Sequence, residues 1–372
     1  MDADVVVIGG GPVGASLGLL LRRLGLRALV LDRARFPRDK PCGEGLMPSG
    51  AAILGELGVD LAAEGFPAVR GVRYRMAGGG HAFAAFPRPG FGVRRLRLDA
   101  MLADRAEVVS GVAATALHAS PSAVEVETSS GTLRARALVG ADGLRSRVSG
   151  WMGWKRQPRP PLRHALVGHW EVPGHGLEEI TVTLLGDAEV YVAPSGPSEL
   201  LAAVLGPRGA LRLEGCSVTD GYREMVTRAH PELGSRDLCG RVGGAGPFRT
   251  APAAVAAGRV FLAGDAAGFL DPLTGEAMAA GLAQAHALAR FLSEDMDTAA
   301  ARYRDWHRTQ WRRRYVVSRV ALALTGSDRL ARRALAGVGR RPVALERLLE
   351  VNDGSRGLAT IRPWDWAALA GF

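Results

Sequence analysis

The chain has 372 residues, 47% of them hydrophobic and 23% charged, with 49 glycines, 21 prolines and three cysteines. That balance excludes a disordered or fibrous chain, and the length suffices to bury a sizeable core without disulfides. The formal charge of +10 is carried almost wholly by arginine, Lys40 and Lys155 being the only lysines; no aromatic-interleaved basic motif accompanies it, so it does not argue for nucleic acid.

Cys42, Cys216 and Cys239 are odd in number and widely spaced, which suggests neither a disulfide framework nor a zinc site and points to a reducing, cytoplasmic compartment. The eight histidines form no ligand cluster, so no metal is expected. The most apolar stretch, 5–31, contains Arg22, Arg23 and Arg27 and does not read as a transmembrane helix. An opening with Asp2 and Asp4 is unlike a secretory leader.

In chain order, Asp4 to Ile8 is a short β-branched run that reads as a buried parallel strand. Gly9-Gly10-Gly11-Pro12-Val13-Gly14 follows, and then Val13 to Leu24 with apolar residues at helical spacing and Gly25 as a stop. Arg27 to Leu31 reads as a second strand. A G-x-G-x-x-G placed between strand and helix is a dinucleotide-binding fingerprint. Gly9 serves the tight turn, Gly11 lets a pyrophosphate approach the backbone and helix N-terminus, and Gly14 lets helix and strand pack closely. Asp32 is the expected acceptor for ribose hydroxyls, and Arg33 beside it either contacts the adenosine or faces solvent.

Further along stand Pro41-Cys42-Gly43-Glu44-Gly45-Leu46, Arg95-Leu-Arg-Leu-Asp99 and Gly140-Ala141-Asp142-Gly143. The middle, from about His164 to Leu205, has four strand-like runs separated by Gly and Pro, which predicts an antiparallel sheet. Arg259 to Ala263 is again a buried-strand run. It leads through Gly264-Asp265-Ala-Ala-Gly and Asp271-Pro272-Leu-Thr-Gly275-Glu276-Ala277-Met278 into a helix over Ala277 to Leu292. Residues 298–338 are helical in pattern, and their arginines read as a solvated helical surface.

Four ordered motifs, the leading Gly-rich turn, Arg95 to Asp99, the Asp142-Gly143 pair and the strand-Gly264-Asp265-Ala-Ala segment, resemble the FAD-dependent oxidoreductases of the para-hydroxybenzoate hydroxylase and geranylgeranyl reductase superfamily. The resemblance implies an α/β fold with a Rossmann-like FAD-binding domain (1–70, 95–160 and 245–297), an inserted antiparallel-sheet substrate domain (71–94 and 161–244) and a C-terminal helical region (298–372). Gly9, Gly11, Val13, Gly14, Asp32, Arg33, Arg95, Val112, Asp142, Gly264 and Asp265 would hold FAD. Gly275, Ala277 and Met278 would place helix N-terminal amides at the pyrimidine edge, where reduced flavin carries negative charge.

The Cys42-Gly43 pair resembles the geranylgeranyl reductase-like branch, and Cys42, Gly43 and Gly45 would then lie along the flavin. Cys42 is a substrate-facing thiol or, the blander reading, a small packing residue. Glu44 and Glu276 are flavin-proximal candidates for acid–base work, and His169, Tyr191 and Pro194 would line the substrate pocket. Asp32 stands in place of the longer Glu usual in this branch, and Ala277 in place of a glycine. The activity the resemblance ranks first is FAD-dependent monooxygenation of an aromatic or alkene small molecule by O2 through a flavin C4a-hydroperoxide, with NAD(P)H as transient electron donor. The alternatives are reduction of isoprenoid double bonds, compatible with peripheral membrane contact by the basic C-terminal helices, and a cyclase or scaffold in which FAD is structural.

Overall fold

A computed structural model describes residues 1–160, 162–211 and 215–372. Its elements run β1 (Ala3–Ile8), α1 (Pro12–Arg23), β2 (Ala28–Asp32), β3 (Gly45–Leu46), α2 (Pro48–Glu56), β4 (Ala68–Met76), β5 (His81–Gly92), α3 (Arg95–Arg105) and β6 (Val109–Ser110). They continue with β7 (Ala114–Ala119), β8 (Val124–Thr128), β9 (Gly131–Gly140), α4 (Arg147–Trp151), β10 (Arg163–Glu171), β11 (Ile180–Leu184), β12 (Glu189–Gly196), β13 (Glu199–Pro207) and α5 (Val218–Ala229). The last are β14 (Leu238–Ala245), β15 (Ala256–Ala257), β16 (Val260–Leu262), α6 (Ala277–Glu294), α7 (Ala299–Thr325), α8 (Asp328–Arg340), α9 (Pro342–Asp353) and α10 (Pro363–Leu369).

The first sheet is ordered β15-β16-β9-β1-β2-β6, with β8 on β9 and β7 on β8. Its centre is parallel: Val5 pairs with Ala28 on one side and with Ala137 on the other. Parallel strands must be buried on both faces, which is why β1, β2 and β9 carry continuous Val, Leu and Ala runs. Helix α1 lies so close to β2 that a Cβ at Gly18 would come within 2.4 Å of Val30 Cγ2, and α6 packs beside α1.

The second sheet is ordered β14-β10-β13-β12-β11-β4-β5-β3. The strands expected in the middle of the chain pair antiparallel, Val167 with Ala203 and Tyr191 with Ala203. One junction departs from the expected antiparallel pattern: β11 runs parallel to β4, Ile180 opposite Val72. β4 and β5 enter from an earlier stretch of chain, and β3 joins them from before α2.

Side chains alternate across this sheet. Trp170, Val190 and Val204 face α5 in one core, whereas Val167, Tyr191, Ala203 and Leu205 face the first sheet. The C-terminal helices α7 to α10 close the β4 and β5 end, Val317, Leu335 and Leu345 packing with Val69, Val72 and Ala84. The final stretch around Pro363 to Trp366, uninformative in sequence, forms α10. The expected boundary at 160/161 falls at Pro161, outside the described residues.

Candidate functional site

Between the two sheets lies a cavity of about 680 Å³. At one end is the β1–α1 turn. Gly9 has φ +107°, and a Cβ on Gly14 would come 1.8 Å from the Gly9 carbonyl oxygen. Only glycine fits at these two positions. Gly14 therefore serves the packing and does not itself line the cavity, while Gly9, Gly11 and Val13 do.

Asp32, at the C-terminal end of β2, accepts the Gly10 N–H at 2.9 Å and the Ala34 N–H at 2.8 Å, which fixes its carboxylate at the edge of the cavity. Arg33 reaches the same edge with an exposed side chain. Val112 lies opposite, its N–H donated to the Asp32 carbonyl at 3.0 Å, so the Val112 contact available to a ligand is not that amide.

Gly11 opens the N-terminus of α1 beneath two guanidinium groups. A Cβ at Gly11 would have open space bounded by Arg38 Nη2 at 3.5 Å and Arg95 Nη2 at 3.9 Å. Asp99, wholly buried one helical turn after Arg95, orients both cations: it accepts Arg95 Nε at 2.7 Å and Arg38 Nη1 at 2.9 Å. Burial works against the Arg95 charge, but Asp99 raises its pKa overall. Two fixed cations at a helix N-terminus over a glycine make a cradle for a pyrophosphate. Arg38, 61 residues from Asp99, is a site residue that sequence reasoning missed.

Around the cradle, Asp142 accepts the Arg147 N–H at 2.6 Å through Oδ2, while its buried Oδ1 has no partner among the described residues. Asp265 lies in the turn after Gly264, both on the wall. Lys40, also missed, reaches the wall beside Arg95, Asp265 and Arg38, and burial followed by the Arg95 charge pulls its pKa down. Gly275, with φ +67°, Ala277 and Met278 bring the start of α6 to the far end. A glycine-shaped cradle, an orphaned carboxylate oxygen and a lining of backbone turns fit a dinucleotide.

The Cys42 to Gly45 segment crosses the middle of the cavity. Cys42 and Arg95 line the same part of the cavity wall. A Cβ at Gly45 would meet the Tyr191 hydroxyl at 2.4 Å, so Gly43 and Gly45 let Tyr191 pack directly against the chain. Burial pushes the Tyr191 hydroxyl far up, keeping it protonated. Beyond Tyr191 the wall is apolar: Ala165, Val167, Ala203, Leu205, Phe248 and Phe269.

Four expectations need correcting. Glu44 lines the cavity but is not a free acid or base: in a left-handed backbone turn (φ +54°), its carboxylate accepts the Arg95 N–H at 2.8 Å, Arg94 Nη1 at 3.3 Å and His169 Nε2 at 3.0 Å. His169 consequently lies behind the wall as a brace for Glu44. Pro194 is turned into the second sheet, where its carbonyl oxygen would lie 1.8 Å from a Cβ on Gly92. Glu276 points away from the cavity: it accepts the Thr274 hydroxyl and faces Arg314 Nε of α7 at 3.6 Å.

The sequence profile of the FAD binding domain family matches residues 2–166. Menaquinone reductase of Mycobacterium tuberculosis is 33% identical over 318 residues, 76% of this chain and 74% of that one. Rifampicin monooxygenase of Streptomyces venezuelae is 28% identical over 314 residues, 79% of this chain and 64% of that one. The structure of the flavin-dependent brominase Bmp2 superposes with a TM-score of 0.85 at 20% identity, covering 98% of this chain and 97% of the other. No helix among the described residues is long and apolar enough to cross a membrane. The fold, the cradle and these likenesses agree: the chain belongs to the FAD-dependent oxidoreductases of the para-hydroxybenzoate hydroxylase and geranylgeranyl reductase-like superfamily.

Proposed function

We propose that the chain is an FAD-dependent reductase that saturates a carbon–carbon double bond of a largely apolar small molecule, with NAD(P)H as electron donor. The first-sheet segments hold FAD, and the second sheet supplies the apolar wall against which the substrate lies. Arg38, Arg95 and the α1 amides take the pyrophosphate, Asp32 the ribose, and the start of α6 the pyrimidine edge. When bound, FAD supplies a two-electron hydride equivalent. The chain's own residues orient the alkene over it, exclude water with Val167, Leu205, Phe248 and Phe269, and must furnish a proton to the second carbon.

The observation that carries this reading is the apolar wall beyond Tyr191, formed by Ala165, Val167, Ala203, Leu205, Phe248 and Phe269, with Cys42 lining the same cavity. The 33% likeness to a menaquinone reductase supports the same direction. Oxygen transfer, which the motifs alone rank first, is the second reading, favoured by the likeness to rifampicin monooxygenase.

Anaerobic turnover separates the two. With NAD(P)H and an alkene-bearing substrate, the expected product gains two hydrogens without O2. A product formed only with O2, and carrying an atom from labelled O2, contradicts reduction and supports oxygen transfer.

A further inference from the structure

Beside the cavity two buried carboxylates come together on one nearly buried arginine. Arg163 opens β10 on the strand face of Ala165 and Val167, both wall residues. Glu189 opens β12 on the face of Tyr191 and pairs with Leu205, again a wall residue. Asp271 arrives from the opposite side, in the loop before α6, and itself lines the cavity. Their side chains are 11%, 7% and 5% exposed.

The bonding is unequal. Arg163 gives both terminal nitrogens to Glu189 in a forked pair, Nη1 lying 3.1 Å from Oε1. Only Nε is left for Asp271, 3.2 Å from Oδ2 and out of line for a hydrogen bond. The other Asp271 oxygen accepts the Leu273 N–H at 3.0 Å. One guanidinium thus serves two carboxylates where water is scarce, and such a group holds a proton more readily than a fully paired carboxylate. Burial raises the pKa of both acids, and Arg163 opposes it. Of the remaining charges that face Asp271, Glu276 disfavours its ionisation and Arg249 favours it. Glu189 has the stronger hold on Arg163, which leaves Asp271, the member on the cavity wall, as the less compensated of the two carboxylates.

We propose that Asp271 is the proton donor of the cavity, giving its carboxyl proton to one carbon of a double bond held against Phe248 and Phe269. This rests on the reductive reading above. The π bond is lost, one C–H bond forms from the hydride equivalent of reduced FAD and the other from the Asp271 O–H. The substrate gains two electrons that NAD(P)H supplied. The carboxylate left behind faces Arg163 and recovers its proton from solvent. Arg163 and Glu189 act through Asp271 and are positioning residues.

Infrared spectroscopy of the purified chain, with and without FAD, reads the proton independently of turnover. A protonated-carboxyl stretch is expected near neutral pH in the wild type, absent in Asp271→Asn. In Glu189→Gln, where Arg163 is released to Asp271, the same band should titrate at lower pH. No such band in the wild type, its survival in Asp271→Asn, or an unshifted titration in Glu189→Gln overturns the proposal, and the last decides if Asp271→Asn does not fold. During turnover Asp271→Asn should lose about 100-fold or more in kcat with FAD affinity unchanged; undiminished turnover also overturns it. A wild type that saturates no alkene while showing the band defeats the reductive reading and leaves the placement of the proton standing.

Discussion

At the scale of single residues, the cavity is set by what surrounds each side chain more than by what the side chain is. Asp99 and Glu44 are both buried carboxylates next to Arg95, and both are consumed in holding other groups still. Replacing Asp99 by Asn leaves the buried Arg95 without its counter-charge, which costs about 3 kcal/mol, while the half-buried Arg38 keeps Asp32 at 3.6 Å. Chemical denaturation should show that loss, together with weaker FAD retention; equal stability and equal retention would mean the cations are oriented by something else. Gly9, Gly11, Gly14 and Asp32 were legible because phosphate recognition by a turn and a helix end is local in sequence. Arg38, Lys40 and Asp271 were not, because their value depends on where chains distant in sequence bring Asp99, Asp265 and Arg163. Glu276 misled for the same reason: adjacency to Gly275 fixes its backbone, whereas Arg314 of α7 decides where its carboxylate turns.

At the scale of elements, the loop from Gly264 to Glu276 is fastened from behind by the C-terminal helices. Trp311 of α7 covers Gly268, whose added Cβ would meet the indole at 2.7 Å, and Asn352 of α9 donates to the Thr274 carbonyl at 2.8 Å. Asn352→Ala leaves that buried carbonyl unpaired, a cost of roughly 1–3 kcal/mol. Because the same loop carries Asp265 and Gly275, FAD should also dissociate faster, measurable by dilution and flavin fluorescence; an unchanged off-rate would show that α9 supports the fold alone. The β1-α1-β2 unit and the β10 to β13 strands were readable from alternation and turn residues. The parallel junction of β11 with β4 was not, since a parallel partner can come from anywhere earlier in the chain and leaves no turn signal.

At the scale of the whole molecule, the C-terminal helices tie acid stability to the site. His307 of α7 is buried against Tyr303 and Trp311, and burial, then the Arg314 charge, pull its pKa down to about 4. Its folded value lies below the unfolded one, so the unfolded chain takes the proton first as pH falls. The stabilisation is complete above about pH 6.5 and is lost between there and about pH 4, up to about 3 kcal/mol. Unfolding of His307→Gln against wild type should show a shallower loss of stability across that window; parallel curves would contradict the assignment.

FAD lying in the cavity between the sheets, with its pyrophosphate at Gly11, is the premise on which the proposed chemistry rests. Gly11→Val tests it directly, because its Cβ enters the open space under Arg38 and Arg95, whose Nη2 atoms lie 3.5 and 3.9 Å away. Flavin content and thermal unfolding of the two purified proteins should show wild type carrying FAD, and the variant folded, with an unchanged melting temperature when both are stripped of cofactor, but unable to retain FAD. A variant that keeps FAD as tightly as wild type would contradict the placement of the cofactor and the chemistry built on it.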